Sequence, residues 1–261
     1  MPLTAVSWNI AEAAPSFSAP SFSRRERDAP RLIRECVLGD GRQPDIIALQ
    51  ESPYPSFGDE TFFEQGYVST GGTKLTHCGY VDLLLKKQLA EKASRITLAS
   101  GQPSVACRLV LPNNTTISVA SSHLEPFKTG ARVRRRQCQD LRDSLAHGSA
   151  NNMILLGDFN ARQSEDKDME KIVGIDAWKS CGSNNITKFT WDSFVNKYHQ
   201  DGFSFRARFD RCYVGGSEIN VKRFGLIGNK SVDSAKDFLS DHYGMIIGLD
   251  VEASGHDRSE E

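Results

Sequence analysis

Six short polar clusters follow or interrupt apolar segments. They are Ser7-Trp8-Asn9, Leu49-Gln50-Glu51, Ser122-His123-Leu124-Glu125, Leu156-Gly157-Asp158-Phe159-Asn160-Ala161-Arg162, Arg208-Phe209-Asp210-Arg211 and Leu239-Ser240-Asp241-His242. Their carboxylates, amides and imidazoles are the groups that bind hard cations, orient water and move protons. Taken singly, each has a plain reading, because a carboxylate just past a strand is usually a solvated loop residue. Six in one chain are better explained by convergence on one cleft at strand ends. Asp158 and Asn160 are two apart, so an extended chain points both the same way. Gly157 between the strand and Asp158 permits a close backbone approach.

Such convergence needs strands that end together. Leu3 to Trp8 reads as a strand, and Asp45 to Gln50 as another, buried on both faces. Tyr80 to Leu85, Arg95 to Ala99 and Val105 to Leu111 are expected strands, with Thr116 to Ser121 returning as a hairpin partner. Met153 to Leu156, Phe209 to Val214, Ile219 to Phe224 and Gly244 to Val251 complete the set. Residues 12–23 read as a loop. A helix follows, with Asp28 as its cap, Pro30 in its first turn, Leu32, Ile33, Cys36 and Val37 on one face, and Gly39 at its end. Ala131 to Leu145 is the clearest helix, basic at its start. Many strands with few helices imply packed sheets with helices outside.

Composition sets the outer bounds. With 261 residues, 39% apolar and 25% charged, the chain can fill one large core. No apolar run approaches the roughly 18 residues of a membrane helix, and the start turns polar too soon for a signal peptide. A soluble, intracellular protein, nuclear or cytoplasmic and not secreted, without a membrane partner is expected. The net charge of −1 excludes a polycation, so any nucleic-acid contact must be local. Cys36, Cys78, Cys107, Cys138, Cys181 and Cys212 are scattered, giving neither a zinc spacing nor a disulfide framework. Asn113-Asn114-Thr115 and Asn185-Ile186-Thr187 match the glycosylation pattern, which carries no weight without export.

The ordered series WNI, LQES, SSHLE, GDFN, RFDR and SDH, from residue 7 to residue 243, resembles the endonuclease/exonuclease/phosphatase superfamily. The resemblance implies an α/β (α+β) four-layer sandwich, two mixed β-sheets face to face with helices outside. It implies a metal-dependent phosphodiesterase using Mg²⁺, with Mn²⁺ able to substitute. The catalytic domain is expected over residues 1–251, with a disordered acidic tail over 252–261. On this reading Glu51 is a metal ligand, and Asp241 a second candidate. Asn9 holds Glu51, a phosphate oxygen or a metal-bound water. Asp158 accepts a proton from the attacking water while Asn160 donates to water or phosphate. Protonated His242 faces the developing charge, with Asp210 holding its tautomer. His123 contacts phosphate or the leaving group. The alternative reading of Asp210, between Arg208 and Arg211, is a plain ion pair, and that of Asp241 is a turn cap.

Thr190-Trp191-Asp192 with Arg208-Phe209-Asp210-Arg211, and His123-Leu124-Glu125 followed by Arg134 and Gln137, resemble the 5′-tyrosyl-DNA phosphodiesterase branch. That branch removes tyrosine left on DNA 5′ ends. The resemblance places Trp191, Arg162, Arg134 and Gln137 in the substrate lining, and Lys128 and Arg208 are further substrate-binding candidates. DNA with a covalently attached tyrosine, frayed or single-stranded, is the expected partner of a monomer. Lys128, Arg132, Arg134, Arg135 and Arg136 form a local run of cations suited to phosphate, or a solvated helix face. Trp191 suits stacking on a base or tyrosine ring, or core packing. Ala11 stands where relatives commonly carry Asp, with Glu12 next, and Pro126 and Lys128 also depart from the branch pattern. An abasic-site endonuclease or exonuclease and an RNA deadenylase share the same metal core. A nucleic-acid-binding module without catalysis is the reading from another class.

Overall fold

The computed structural model describes residues 1–11, 22–75, 78–146, 151–198, 204–231 and 238–253. Strands β1 (Pro2–Asn9), β2 (Ile46–Ser52), β3 (Tyr67–Ser69), β4 (Thr73–Lys74) and β5 (Tyr80–Lys86) lie in one sheet. Strands β6 (Ala93–Arg95), β7 (Ser104–Val110), β8 (Thr116–His123), β9 (Met153–Asp158) and β10 (Ile175–Asp176) lie in a second. A separate ribbon joins β11 (Trp191–Asp192) to β12 (Arg206–Ala207). The chain then returns through β13 (Asp210–Gly215) to the second sheet and through β14 (Ile219–Ile227) and β15 (Gly244–Val251) to the first.

The first sheet runs in the order β14-β15-β1-β2-β5-β3, with β4 also on β5; the second runs β10-β13-β9-β8-β7-β6. Each is antiparallel except for one pair at its middle, β1 with β2 and β8 with β9. Parallel neighbours end on the same side, so each sheet presents two C-terminal strand ends together. That is the place where such sheets bind ligands.

Alternation along the strands explains the layers. Leu3, Ala5, Ile46 and Ala48 face Ile117, Val119, Ile154 and Leu156 in the core between the sheets. Val6, Trp8, Ile47 and Leu49 point the other way, onto Ile33 and Val37 of α1 (Phe22–Leu38) and Phe57 and Phe62 of α2 (Phe57–Phe62). After the four-residue α3 (Lys87–Ala90), α4 (Ala131–Ala146) covers the second sheet together with α5 (Asp166–Val173). A last short turn, α6 (Ala177–Ser180), follows β10. The expected four layers are thus present. Burying each sheet on both faces supplies most of the driving force, at about 25 cal/mol per Å² of apolar surface.

Some sequence expectations need correction. The first helix does not start at Asp28: its backbone begins at Phe22, and Pro30 lies inside it. Pro30 suits a first turn, but packing of the Ile33–Val37 face carries the helix through it. The strand expected over Arg95 to Ala99 is β6, earlier and shorter, because Ile96 and Leu98 pack as a loop against the helix layer. The short elements α2, α5, β3 and β10–β12 had no periodicity long enough to read. Most of the expected 12–23 loop, Glu12 included, and residues 254–261 of the expected tail lie outside the described residues. Among the described residues no helix is long and apolar enough to cross a membrane.

Candidate active site

The face that is apolar in mid-sheet turns polar toward the strand ends. Along β1, Leu3 and Ala5 are followed on the same face by Ser7 and Asn9; along β8, Ile117 and Val119 by Ser121 and His123; along β9, Ile154 and Leu156 by Asp158. Ser7, Gln50 and Ser121 form the first polar layer and tie the sheets together. Gln50 Nε2 donates to Ser121 Oγ at 3.0 Å, and Ser7 Oγ donates to Gln50 Oε1 at 3.4 Å. Above this layer, Asp210 pairs in register with Asp158, and Asp158 with His123. At Gly157 φ is +137°, and a Cβ there would collide with the Ser122 carbonyl oxygen. Glycine is what lets β8 and β9 stay paired up to the site.

Asn9 bridges the two sheets. Its Nδ2 donates to Glu51 Oε1 at 3.0 Å and to Asp158 Oδ2 at 3.1 Å. Glu51 leaves the β2 ladder at a bulge opposite β5, with φ +55°. His123 Nε2 lies 3.0 Å from the same Glu51 oxygen and 3.6 Å from Asp158 Oδ2. Burial opposes ionisation of Glu51, but the His123 hydrogen bond and charge outweigh it and lower its pKa. For His123, burial disfavours the proton; the bond to Glu51 and the Asp158 charge raise its pKa.

His242 enters from the loop before β15, its Nδ1 2.8 Å from Asp210 Oδ2 and its Nε2 3.7 Å from Asp158 Oδ2. Burial works against its charge, yet Asp210 and Asp158 hold its pKa well above the usual value. Burial and the Asp158 charge raise the Asp210 pKa as well, while the His242 charge and hydrogen bond work against them. Asp210 therefore serves His242, not the flanking arginines. The main chain holds the loop, with Ser240 Oγ donating to the Asn9 carbonyl at 2.7 Å.

Asn160 departs from expectation. The chain is not extended there: φ is +49°, its N–H donates to Asp158 Oδ1 at 2.8 Å, and its Nδ2 donates to the Leu124 carbonyl. Asp241 accepts a bond from Ser240 Oγ and lies in neither group of clustered metal-binding side chains. Trp191 is half-buried and bridges to His242, its ring edge-on to the imidazole at 5.0 Å and stacked on Phe205 at 5.7 Å. Arg162 lies over the Phe209 ring at 4.3 Å.

Other assignments fall. Arg134 is fully buried, paired through two bonds with Glu165 and donating to the Glu125 and Phe127 carbonyls. Arg208 is buried between Asp166 and Asp176, over the Trp178 ring. Gln137 accepts from the Glu125 N–H. Arg134 and Gln137 thus clasp loops to the scaffold, while Arg208, held between two acids, also lines the cleft described next. Arg135 and Arg136 lie within 4 Å of Asp168 and Asp140, so only Lys128 and Arg132 of the expected run are exposed without an acidic partner among the described residues. A cationic surface exists elsewhere. A cleft of about 370 Å³ is lined by Arg162, Lys167, Lys179, Lys188 and Arg206, and by the buried Arg208, Arg211 and Asp166, among others. Its residues come from four separate stretches of sequence, which is why no charge run announced it. Cys78 was also missed: its sulfur, a Glu51 oxygen and a His123 nitrogen all lie within 4.8 Å of one another.

The donor set fits a hard divalent cation. Glu51 and Asp158 stand on either side of Asn9, and both side-chain bonds to Glu51 fall on Oε1, which leaves Oε2 for a ligand. Mg²⁺ sites commonly use one or two carboxylates and fill the remaining positions with water and substrate oxygens.

A model of the Endonuclease/Exonuclease/phosphatase family matches residues 6–242. A 5′-tyrosyl-DNA phosphodiesterase of Caenorhabditis briggsae is 32% identical over 255 residues, 93% of this chain and 68% of that protein. A protein of the same name from Caenorhabditis elegans is 35% identical over 133 residues, 49% of this chain and 36% of that protein. A Tyrosyl-DNA phosphodiesterase 2 of Xenopus laevis is 23% identical over 80% of this chain and 58% of its own length. The matches thus span from about a third to two thirds of these curated relatives. The crystal structure of truncated Caenorhabditis elegans TDP2 superposes with a TM-score of 0.74 at 26% identity, over 96% of this chain and 98% of that one.

Proposed function

The chain belongs to the Endonuclease/Exonuclease/phosphatase family, and on that footing we propose that it is a Mg²⁺-dependent phosphodiesterase acting at DNA ends, with 5′-phosphotyrosyl adducts as its substrate. The observation that carries the reading is the meeting of Asn9, Glu51, His123, Asp158, Asp210 and His242, drawn from both sheets, around one point. The relatives named as 5′-tyrosyl-DNA phosphodiesterases support the choice of substrate.

Glu51, with Asn9 orienting it, would hold Mg²⁺ or Mn²⁺. When bound, such an ion neutralises a phosphate oxygen and makes the phosphorus more electrophilic. The protein supplies the rest. Asp158 takes the proton from the attacking water, its geometry fixed by Asn9 on Oδ2 and the Asn160 N–H on Oδ1. Imidazolium His242, pinned by Asp210, donates from Nε2 toward the oxygens that gain charge in the transition state. His123 stands on the Glu51 side and contacts phosphate or the departing oxygen. A tyrosine phenol has a pKa of about 10, so it leaves with less protonation than a sugar hydroxyl requires. Trp191 and the half-exposed Phe205 offer faces for a terminal base or the tyrosine ring. The cationic cleft gives the DNA backbone a path away from the site.

The test is a substrate panel with Mg²⁺: a 5′-phosphotyrosyl oligonucleotide, an abasic duplex and poly(A). Preferential release of tyrosine supports the proposal. Faster cleavage of the abasic duplex or poly(A) would move the chain to another branch, and binding without turnover would favour a non-catalytic module.

A further inference from the structure

Beside the proposed Mg²⁺ position is a donor set of a different chemical kind. Cys78 contributes a sulfur, His123 an imidazole nitrogen and Glu51 a carboxylate oxygen, all within 4.8 Å of one another. Glu51 Oε1 and His123 Nε2 are already 3.0 Å apart.

The backbone holds Cys78 to this place. Gly79 has φ +55°, and a Cβ there would run into the Ser52 carbonyl and lie 3.0 Å from the Glu51 carbonyl carbon. The turn before β5 therefore lies directly on the β2 bulge that carries Glu51. The Leu75 N–H donates to the Gly79 carbonyl at 2.9 Å, and Tyr80 pairs with Ser52 next to it. Cys78 thus follows from the same bulge that turns Glu51 toward the site.

Nitrogen, thiolate and carboxylate together are the ligands of zinc, which binds three protein groups tetrahedrally and leaves a fourth position open. Bonds of about 2.0–2.3 Å place tetrahedral donors about 3.3–3.8 Å apart, so Glu51 and His123 need to open by a few tenths of an ångström and the sulfur to close by at most about one. Mg²⁺ gains nothing from a thiol, whereas Zn²⁺ and Co²⁺ do.

We propose that Glu51, Cys78 and His123 form a site for a thiophilic divalent cation of the zinc class, and that its occupation switches the hydrolytic site off. The cation takes the place of the proton between His123 and Glu51, and that proton and the one on the Cys78 thiol are both released to solvent. Glu51 and His123 are then withdrawn from phosphodiester chemistry. The inhibitory part rests on the function proposed above; the binding part does not.

Co²⁺ is the probe for the site, because a thiolate–cobalt bond gives a near-ultraviolet charge-transfer band. The intact protein is expected to show that band, and Cys78→Ser and Cys78→Ala to lose it, while Cys36→Ser and Cys181→Ser retain it. A missing band in the intact protein, or an undiminished one in both Cys78 variants, overturns the site. In the same proteins, Zn²⁺ inhibition of Mg²⁺-supported cleavage, read against each protein's own uninhibited rate, is expected to weaken at least about tenfold in Cys78→Ser, the low end of what loss of even a supporting group costs. Equal Zn²⁺ sensitivity overturns the inhibitory role. The cobalt measurement needs no substrate, so it decides the site even if the protein cleaves no phosphodiester offered.

Discussion

His242 Nδ1 lies 2.8 Å from Asp210 Oδ2, and both groups are buried. A second carboxylate, Asp158, faces the other ring nitrogen at 3.7 Å. Two anions on opposite edges of one ring favour the imidazolium strongly enough to overcome burial. His242 is thereby a preorganised cation, which separates it from His123, whose nearest partner is Glu51.

Replacing Asp210 with Asn removes one of those anions and keeps the shape. Turnover is expected to fall by about 10²–10⁴-fold, the usual range for a positioned proton donor. The His242 pKa is raised by Asp210, so its loss lowers that pKa, and the rate should begin to fall at a lower pH than in the intact enzyme. A pH–rate profile of Asp210→Asn with an unmoved alkaline limb would remove Asp210 from this role.

Glu51→Gln keeps the Asn9 contact possible and deletes the charge proposed to hold the ion. At fixed Mg²⁺ the rate is expected to drop at least ~100-fold, in line with loss of metal-ion catalysis. A Mg²⁺ titration checks it: the variant should need far more Mg²⁺ for half-maximal rate. An unchanged titration midpoint would place the cation elsewhere.

Arg134 and Lys188 separate scaffold from surface. Arg134→Met leaves Glu165 without its partner in a nearly buried setting and is expected to destabilise by about 3–5 kcal/mol. Lys188→Ala, in the cationic cleft, should leave thermal stability alone and reduce the salt slope of oligonucleotide binding by about one unit. Melting curves and salt-dependent binding on both variants check this pair. A reduced salt slope in Arg134→Met, with stability intact, would reverse the assignment.

Asp82 gives a pH dependence outside the site. Burial pushes its carboxyl up to about 6, against bonds from Ser69 Oγ and the Leu83 N–H that favour the anion. An unfolded Asp titrates near about 3.9, so the folded state binds the proton more tightly. Stability from this group is full below the unfolded value and is lost as pH rises through about 6. Asp82→Asn cannot ionise and is expected to be more stable by about 3 kcal/mol above that range, with the difference vanishing at acid pH. Denaturant midpoints at both pH values measure it; a variant less stable throughout would contradict it.

The strands and their ends were readable because alternation and apolar runs are local properties. Leu3, Ala5, Ser7 and Asn9 already describe in sequence a face that changes from core to site. Charge was less readable. Arg134 and Arg208 look like substrate contacts beside other cations, and only the fold shows Glu165, Asp166 and Asp176 meeting them. The cleft around Lys188 and Arg206 and the approach of Cys78 to Glu51 depend on contacts far apart in the chain. Asn160 was misplaced because its positive φ breaks the assumed extension.

Asp158 is the residue on which the mechanism turns, being the one that touches Asn9 and approaches both histidines. Single-turnover cleavage of a 5′-phosphotyrosyl oligonucleotide at saturating Mg²⁺, comparing Asp158→Ala with the intact protein, tests it most directly. A fall of at least ~100-fold is predicted, as for loss of a general base; a rate near that of the intact protein would contradict the mechanism.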